Sequence, residues 1–321
     1  ASFARLAASG ATAGGAGAAP VPDRQFEARL RARERALLTP RIAGARGWYA
    51  SNQKRLTSLS SADGARRFDV GRRDLALPAA AQVGDTVIVN VNGLDACDNP
   101  TNHKARVVAI GTHATILADV NNPVNGFTDA DYQRYATRFD TLVYPLDTDA
   151  FGAPTDIDGN GHVGLIFTSE VNKLTPPDQD SFVGGFTYSR DLFPLVDTPQ
   201  AQGCPASNFG EFFYLMAPDP LGTINGNVRT AGFVDTNTTA VIAHEFQHLI
   251  NASRRIYVNS ADSFESTWLD EGLAHIAEEL LFYRDAGDAP RSNLTAADIR
   301  ATERVRGSFN LNMAGNAGRY R

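Results

Sequence analysis

A chain of 321 residues with 43% hydrophobic content can bury a sizeable core, in one large or two modest domains. Its formal net charge of −6 offers no basic field, so neither nucleic acid nor an anionic lipid surface is expected as a partner. No apolar run approaches the ~18 residues that a transmembrane helix needs.

Residues 1–20 are rich in Ala, Gly and Ser with almost no bulky apolar side chains, the composition of a flexible tail. Arginines then alternate with Phe26, Leu30 and Leu37 between Pro22 and Thr39-Pro40, which predicts a short charged helix. Residues 1–66 as a whole read as a solvated linker or leader, with a prosegment remnant as the alternative. The chain begins at Ala1 and shows no charged segment leading into an apolar one, so a signal peptide is expected to have been removed.

From residue 67 the texture changes. β-Branched runs at 86–91, 106–110 and 115–117, separated by Asn-Gly and Ile-Gly-Thr turns, predict a small β-rich unit over 67–125. Residues 126–321 form the next unit. Thr128-Asp129-Ala130-Asp131 resembles a helix cap and opens a helix to about Leu142, followed by expected strands at 163–168, 182–188 and 211–216. Between them, Asp156, Asp158 and Asn160 alternate as in the start of a calcium loop with Gly161 at its sixth position. Position twelve is Phe167 in place of a bidentate glutamate, so a tight turn explains the segment equally well. Cys97 and Cys204 are the two cysteines, either a disulfide or two unrelated thiols.

The segment His244-Glu245-Phe246-Gln247-His248 carries the chemistry. Histidines at i and i+4 lie one turn apart on one helix face and can bind a single metal through neutral imidazoles. Glu245, about 100° round the helix, is placed to act as general base on water activated by zinc. A chance match to this pattern in a chain with six histidines is on the order of a few in a thousand.

A catalytic zinc needs a third protein ligand. Glu271, within Trp268-Leu269-Asp270-Glu271-Gly272-Leu273-Ala274, is the candidate. At about 100° per residue, Leu269, Leu273, Ile276 and Leu280 fall on the opposite side of that helix from Glu271, and this stripe is expected to face the core. Ile242, Phe246 and Leu249 similarly lie away from His244 and His248. Opposed apolar stripes would thus turn His244, His248 and Glu271 toward a common space.

HExxH with a downstream helix carrying a third glutamate resembles the gluzincin arrangement of thermolysin-like proteases and aminopeptidase-N-like enzymes. The phrase VIAHEFQH followed by WLDEGLAHIAEE resembles the hyicolysin-like neutral zinc metallopeptidases of bacteria more closely, over roughly residues 85 to 285. The resemblance implies an α+β, zincin-type fold: a small β-rich N-terminal unit, then a catalytic domain over 126–321 with a helical lobe after the zinc helix. It implies Zn2+ held by His244, His248 and Glu271, Glu245 as base, a protein or peptide substrate, and secretion. One position departs from the thermolysin-like pattern. Four residues after the ligand glutamate, where an aspartate would orient a zinc histidine, this chain has His275. That histidine could bond Glu271, hold an oxyanion, or be an ordinary helix residue, the last being the default.

The expected activity is that of a zinc endopeptidase. An aminopeptidase is the alternative within the class, with Glu211 as a weak candidate for recognising a free amino terminus, and a non-catalytic zinc-binding or adhesion module is the alternative outside it. Tyr257, His275 and Tyr283 are equal candidates for an oxyanion donor. The aromatic run 211–216 is read as core, with a substrate-binding edge strand as the second option.

Overall fold

The computed structural model describes residues 21–59, 77–177, 179, 181–290, 292–313 and 316. The Ala/Gly-rich run at 1–20 and residues 60–66 of the leader lie outside the described residues.

The chain enters through a two-residue strand β1 (Val21–Pro22) and runs into α1 (Arg24–Leu38), whose start is capped by the Asp23 carboxylate accepting from the N–H groups of Gln25 and Phe26. A turn at Thr39–Arg41 leads into α2 (Ile42–Leu59). The strands β2 (Thr86–Asn90), β3 (Asn102–Ile110) and β4 (Ala114–Asp119) follow as an antiparallel meander.

A capping box between Thr128 and Asp131 starts α3 (Asp129–Arg138). The helix expected to run to Leu142 passes instead through a wider turn at Phe139–Val143 into α4 (Tyr144–Phe151), where Pro145 occupies the first turn, a position that tolerates its missing N–H. Next come β5 (Val163–Thr168), α5 (Ser169–Lys173), β6 (Ser181–Phe182), β7 (Gly185–Thr187) and β8 (Phe212–Met216). The long helix α6 (Ala231–Ser253), α7 (Thr267–Ala286) and two short helices, α8 (Ala296–Ala301) and α9 (Glu303–Ser308), complete the described chain.

The architecture is α+β. One six-stranded mixed sheet has the order β2-β3-β4-β5-β8-β7, with the β4–β5 and β5–β8 pairings parallel and the other three antiparallel. Its central strands β5 and β8 are buried along their whole length, which is why VGLIFT and FFYLM read as unbroken apolar runs rather than alternating ones. Since β8 is flanked by β5 and β7, its aromatics are core and it presents no free edge. The strand expected over 182–188 is split into β6 and β7 because α6 passes close by. A Cβ on Gly184 would sit 2.8 Å from Val241 Cγ2, and one on Gly185 would sit 2.7 Å from the Tyr214 carbonyl oxygen.

Helix α6 packs on β7 and β8, α7 packs on α6, and α1 packs on α7. The main apolar core runs from Phe26 and Leu30 of α1 through the sheet to Ile250 of α6 and Leu281 of α7. A smaller cluster of Phe282, Tyr283 and Ala286 lies beneath the C-terminal helices.

Cys97 and Cys204 form a disulfide joining the loop after β2 to the segment before β8, a sequence separation of 107 residues. Closing a loop of that size restricts the unfolded chain, so replacing both cysteines by alanine is expected to cost about 3–5 kcal/mol. Denaturant unfolding of the double variant against the parent protein measures it, and superimposable curves would show that the crosslink contributes nothing.

Candidate metal centre

Helix α6 starts at the Thr230 side chain, which accepts from the Phe233 N–H, and runs 23 residues, so its C-terminal half lies deep between the sheet and α7. Every residue from Ile242 to Ile250 is buried. The chain then turns back within a short loop held by Arg255, which bonds the Ser263 carbonyl and pairs with Glu265 at 2.7 Å. That return lays α7 across α6.

The buried side of α7 is Ala274, Ala277 and Leu281. The stripe read from the sequence as core-facing is different: Leu269, Leu273 and Leu280 are half-buried and Ile276 is exposed. Small alanines let two helices approach closely where leucines would hold them apart, and this close contact brings Glu271 beside both histidines.

The His244 and His248 Nε2 atoms lie 3.1 Å apart, and each is 3.7 Å from a Glu271 carboxylate oxygen. Zinc ligands at about 2.0–2.2 Å in a tetrahedral set stand roughly 3.3–3.6 Å from one another, close to these separations. The donor set of two imidazoles and a carboxylate suits that ion. The other ring nitrogens face carboxylates. His244 Nδ1 is 2.7 Å from Glu278 Oε1, and His248 Nδ1 is 3.3 Å from Asp270 Oδ1. With both imidazoles neutral and their protons on Nδ1, the two Nε2 lone pairs face each other at 3.1 Å and can share one cation, whereas a protonated His244 donates its Nε2–H to His248 instead. Glu271 Oε1 is also buried without a hydrogen-bond partner.

The electrostatics follow from this crowding. Burial alone would lower the His244 pKa, but the hydrogen bond and charge of Glu278, with Glu245 and Glu271 behind it, raise it to about 9. Burial would raise Asp270, yet His248, Arg31 and the amide of Asn251 hold its carboxyl down at about 2.

Glu245 is 2% exposed, with its carbonyl oxygen accepting from the Thr187 hydroxyl of β7 and its carboxylate Oε2 unpartnered. Glu27 of α1 joins it. Ligand atoms of Glu27, Glu245 and His248 lie within 4.8 Å of one another. Burial, then the charge of Glu245, push the Glu27 carboxyl well above the usual range. Arg31, one turn on, pairs with Glu34 at 2.5 Å and Glu27 at 3.6 Å and donates to the Thr187 carbonyl.

His275 stands beside the site, against Glu278 and the His244 ring. Its Nδ1 is 3.4 Å from Glu278 Oε1 and its ring is 4.9 Å from that of His244. Glu278 thus occupies the orienting position that the resemblance would give to the residue at 275. The signal was in the sequence. Glu278 follows Glu271 by seven residues, about two turns, and so shares its side of α7. Asp270 and Glu27 were the other residues missed, the first masked by its neighbour Glu271 and the second remote in sequence. Two oxyanion candidates are engaged elsewhere: the Tyr257 hydroxyl donates to the Leu192 carbonyl, and that of Tyr283 donates to the Ser292 carbonyl at 3.1 Å. Glu211 is buried against residues 155–158, its carboxylate accepting from the Ile157 N–H at 3.0 Å. Asp156 and Asp158 meet there, whereas Asn160 turns its amide nitrogen to Asp158 and to the Leu77 carbonyl.

No protein-family model matches the sequence. Over 156 residues the chain is 27% identical to the neutral metalloprotease ShpI of Staphylococcus hyicus, covering 49% of this chain and 32% of the relative. That similarity supports a metallopeptidase. The chain spans about a third of the relative's length. Among the described residues, no helix is long and apolar enough to cross a membrane.

Since a protonated imidazole cannot donate to a metal, zinc affinity of metal-free protein is expected to weaken as pH falls below about 9, the raised His244 value. Glu278→Gln removes the charge that raises it, so the pH dependence should flatten while affinity at high pH drops about tenfold or more. Competition with a chromogenic chelator across that range checks both effects. Identical curves for the two proteins would release Glu278 from this role.

Proposed function

We propose that the protein is a secreted zinc endopeptidase with a zincin-type catalytic domain, similar to the hyicolysin-like neutral metallopeptidases. The observation that carries this reading is the convergence of His244, His248 and Glu271 with the unpartnered carboxylate of Glu245 beside them. The similarity to a neutral metalloprotease supports it independently.

In this reading His244, His248 and Glu271 hold the zinc, and Glu278 and Asp270 fix the two imidazoles with Nε2 turned inward. Zinc supplies Lewis acidity, polarising a scissile carbonyl and making water easier to deprotonate. Glu245 takes the proton from the attacking water and returns it to the leaving amine. A dry, buried setting strengthens that exchange, because the carboxylate is not solvated by bulk water. The endopeptidase assignment draws on β7. It is an edge strand, bound to Glu245 through Thr187, and an extended substrate could add along it on both sides of the cut.

Glu245→Gln should retain zinc and lose roughly a hundredfold to ten-thousandfold in casein turnover. Mapping the products of the parent enzyme separates the two peptidase types, since internal cuts indicate an endopeptidase and stepwise loss from the amino terminus an aminopeptidase. Full turnover by the glutamine variant would reject the mechanism.

Residues 1–66 then act as an inhibitory prosegment. The support is that β1 pairs with β6, Arg31 takes up the Thr187 carbonyl, and Glu27 sits against a base that is 2% exposed. These are the positions an extended substrate would need. Glu27→Gln is expected to raise casein turnover several-fold while leaving the circular dichroism spectrum unchanged. A fall in turnover at unchanged zinc content would instead make Glu27 part of the working site.

A further inference from the structure

The loop between α4 and β5 holds a second cluster of acidic groups, independent of the zinc reading. Oxygens of Asp156, Asp158 and Glu211 lie within 4.8 Å of one another. Asp158 is 3% exposed and Glu211 2%, while Asp156 stands at the open side. Burying carboxylates together is costly unless something positive neutralises them. The Asp156 charge acts on both buried carboxyls, and that of Asp158 acts on Glu211. Burial first, and these neighbouring carboxylates after it, push both carboxyls well above the usual range.

Glu211 supplies the second, separate observation. Its Oε1 accepts from the Ile157 N–H, but its Oε2 is fully buried without any hydrogen-bond partner. The chain also leaves room at this point. A Cβ on Gly210 would come within 2.7 Å of the Phe212 ring and 2.9 Å of Asp158 Oδ2, so glycine before Glu211 lets the Asp158 carboxylate sit there undisplaced. Asn160 braces the group from outside. Its amide nitrogen donates to Asp158 Oδ2 at 2.8 Å, and its own carbonyl oxygen accepts from the His162 N–H.

We infer that Asp156, Asp158 and Glu211 form a calcium site, in which Glu211, from the head of β8, supplies the acidic ligand that the local loop lacks at its twelfth position. The donors are all hard carboxylate oxygens, a set that suits Ca2+ and lacks the imidazole or thiolate ligands that accompany a carboxylate in zinc sites. Ligands on opposite sides of Ca2+, each at about 2.4 Å, stand roughly 5 Å apart, so carboxylate oxygens spread over this distance can share one ion. Mg2+ demands a tighter octahedron at about 2.1 Å. The ion would tie the loop before β5 to the start of β8.

The test uses the 321-residue chain stripped over chelating resin, reloaded with zinc, and given either no addition, CaCl2 or MgCl2 at about 1 mM, the range of extracellular calcium modules. Elemental analysis after gel filtration should find one calcium per chain with zinc content unchanged. Thermal unfolding should shift upward by at least about 3 °C with calcium and less with magnesium. Glu211→Gln should bind no calcium and show no shift, yet melt above the parent protein in calcium-free buffer because a buried charge has been removed. Asp158→Asn serves as the second variant if the first does not fold. Absence of calcium from the parent protein, an equal shift with magnesium, or undiminished calcium in either variant would overturn the assignment.

Discussion

Helix α6 is enclosed on all sides over the turns that carry His244, Glu245 and His248, and a polar side chain so enclosed must be satisfied by protein. An unpaired buried polar group costs about 1–3 kcal/mol, so each partner around these residues matters to folding as well as to chemistry. Glu278 serves His244, Asp270 lies against His248, and the Thr187 hydroxyl takes the Glu245 carbonyl. These groups come from α7 and β7. The docking of α7 and the placement of the sheet edge thus supply partners to one helix, while the Glu245 and Glu271 carboxylates each keep an oxygen unpartnered.

Negative charge is the second theme of the interior. Glu27, Glu245, Asp270, Glu271 and Glu278 gather around two imidazoles, with Arg31 the cation that reaches furthest into them. Such an accumulation is stable when a cation completes it, and it explains why α1 carries Arg31 on the same side as Glu27. The same logic applies to the cluster before β5, where burial and neighbouring carboxylates raise Asp158 and Glu211 together. A protein that buries carboxylates beyond what its own cations balance is adapted to hold positive charge from outside.

The sequence made the local part of the candidate site legible, because the i, i+4 spacing of His244 and His248 is a property of one helical turn. The helix around His244 and the strand-rich middle were likewise readable from the residue pattern, whereas the α+β class was an expectation that came with the resemblance. Glu271 was singled out on the segment WLDEGLA, and the stripe of apolar residues that was added in support did not hold. Its helix docks through Ala274 and Ala277, while Leu269, Leu273 and Ile276, which looked like a core stripe, remain partly or largely exposed. Hydrophobicity alone ranks leucine above alanine, whereas a close helix crossing selects for smallness. Long-range pairings were not legible at all. Nothing local to Glu27 or Glu211 reveals that one meets Glu245 and the other Asp158, and the break between β6 and β7 depends on how near α6 runs.

Glu271 and Glu278 project from the same side of one continuous helix, two turns apart. One carboxylate faces the Nε2 edge of His244 and the other its Nδ1 edge, so a single rod grips the imidazole from both ends. Sliding or rolling α7 would release both grips together. The assembly of the centre thus depends on where α7 comes to rest against α6.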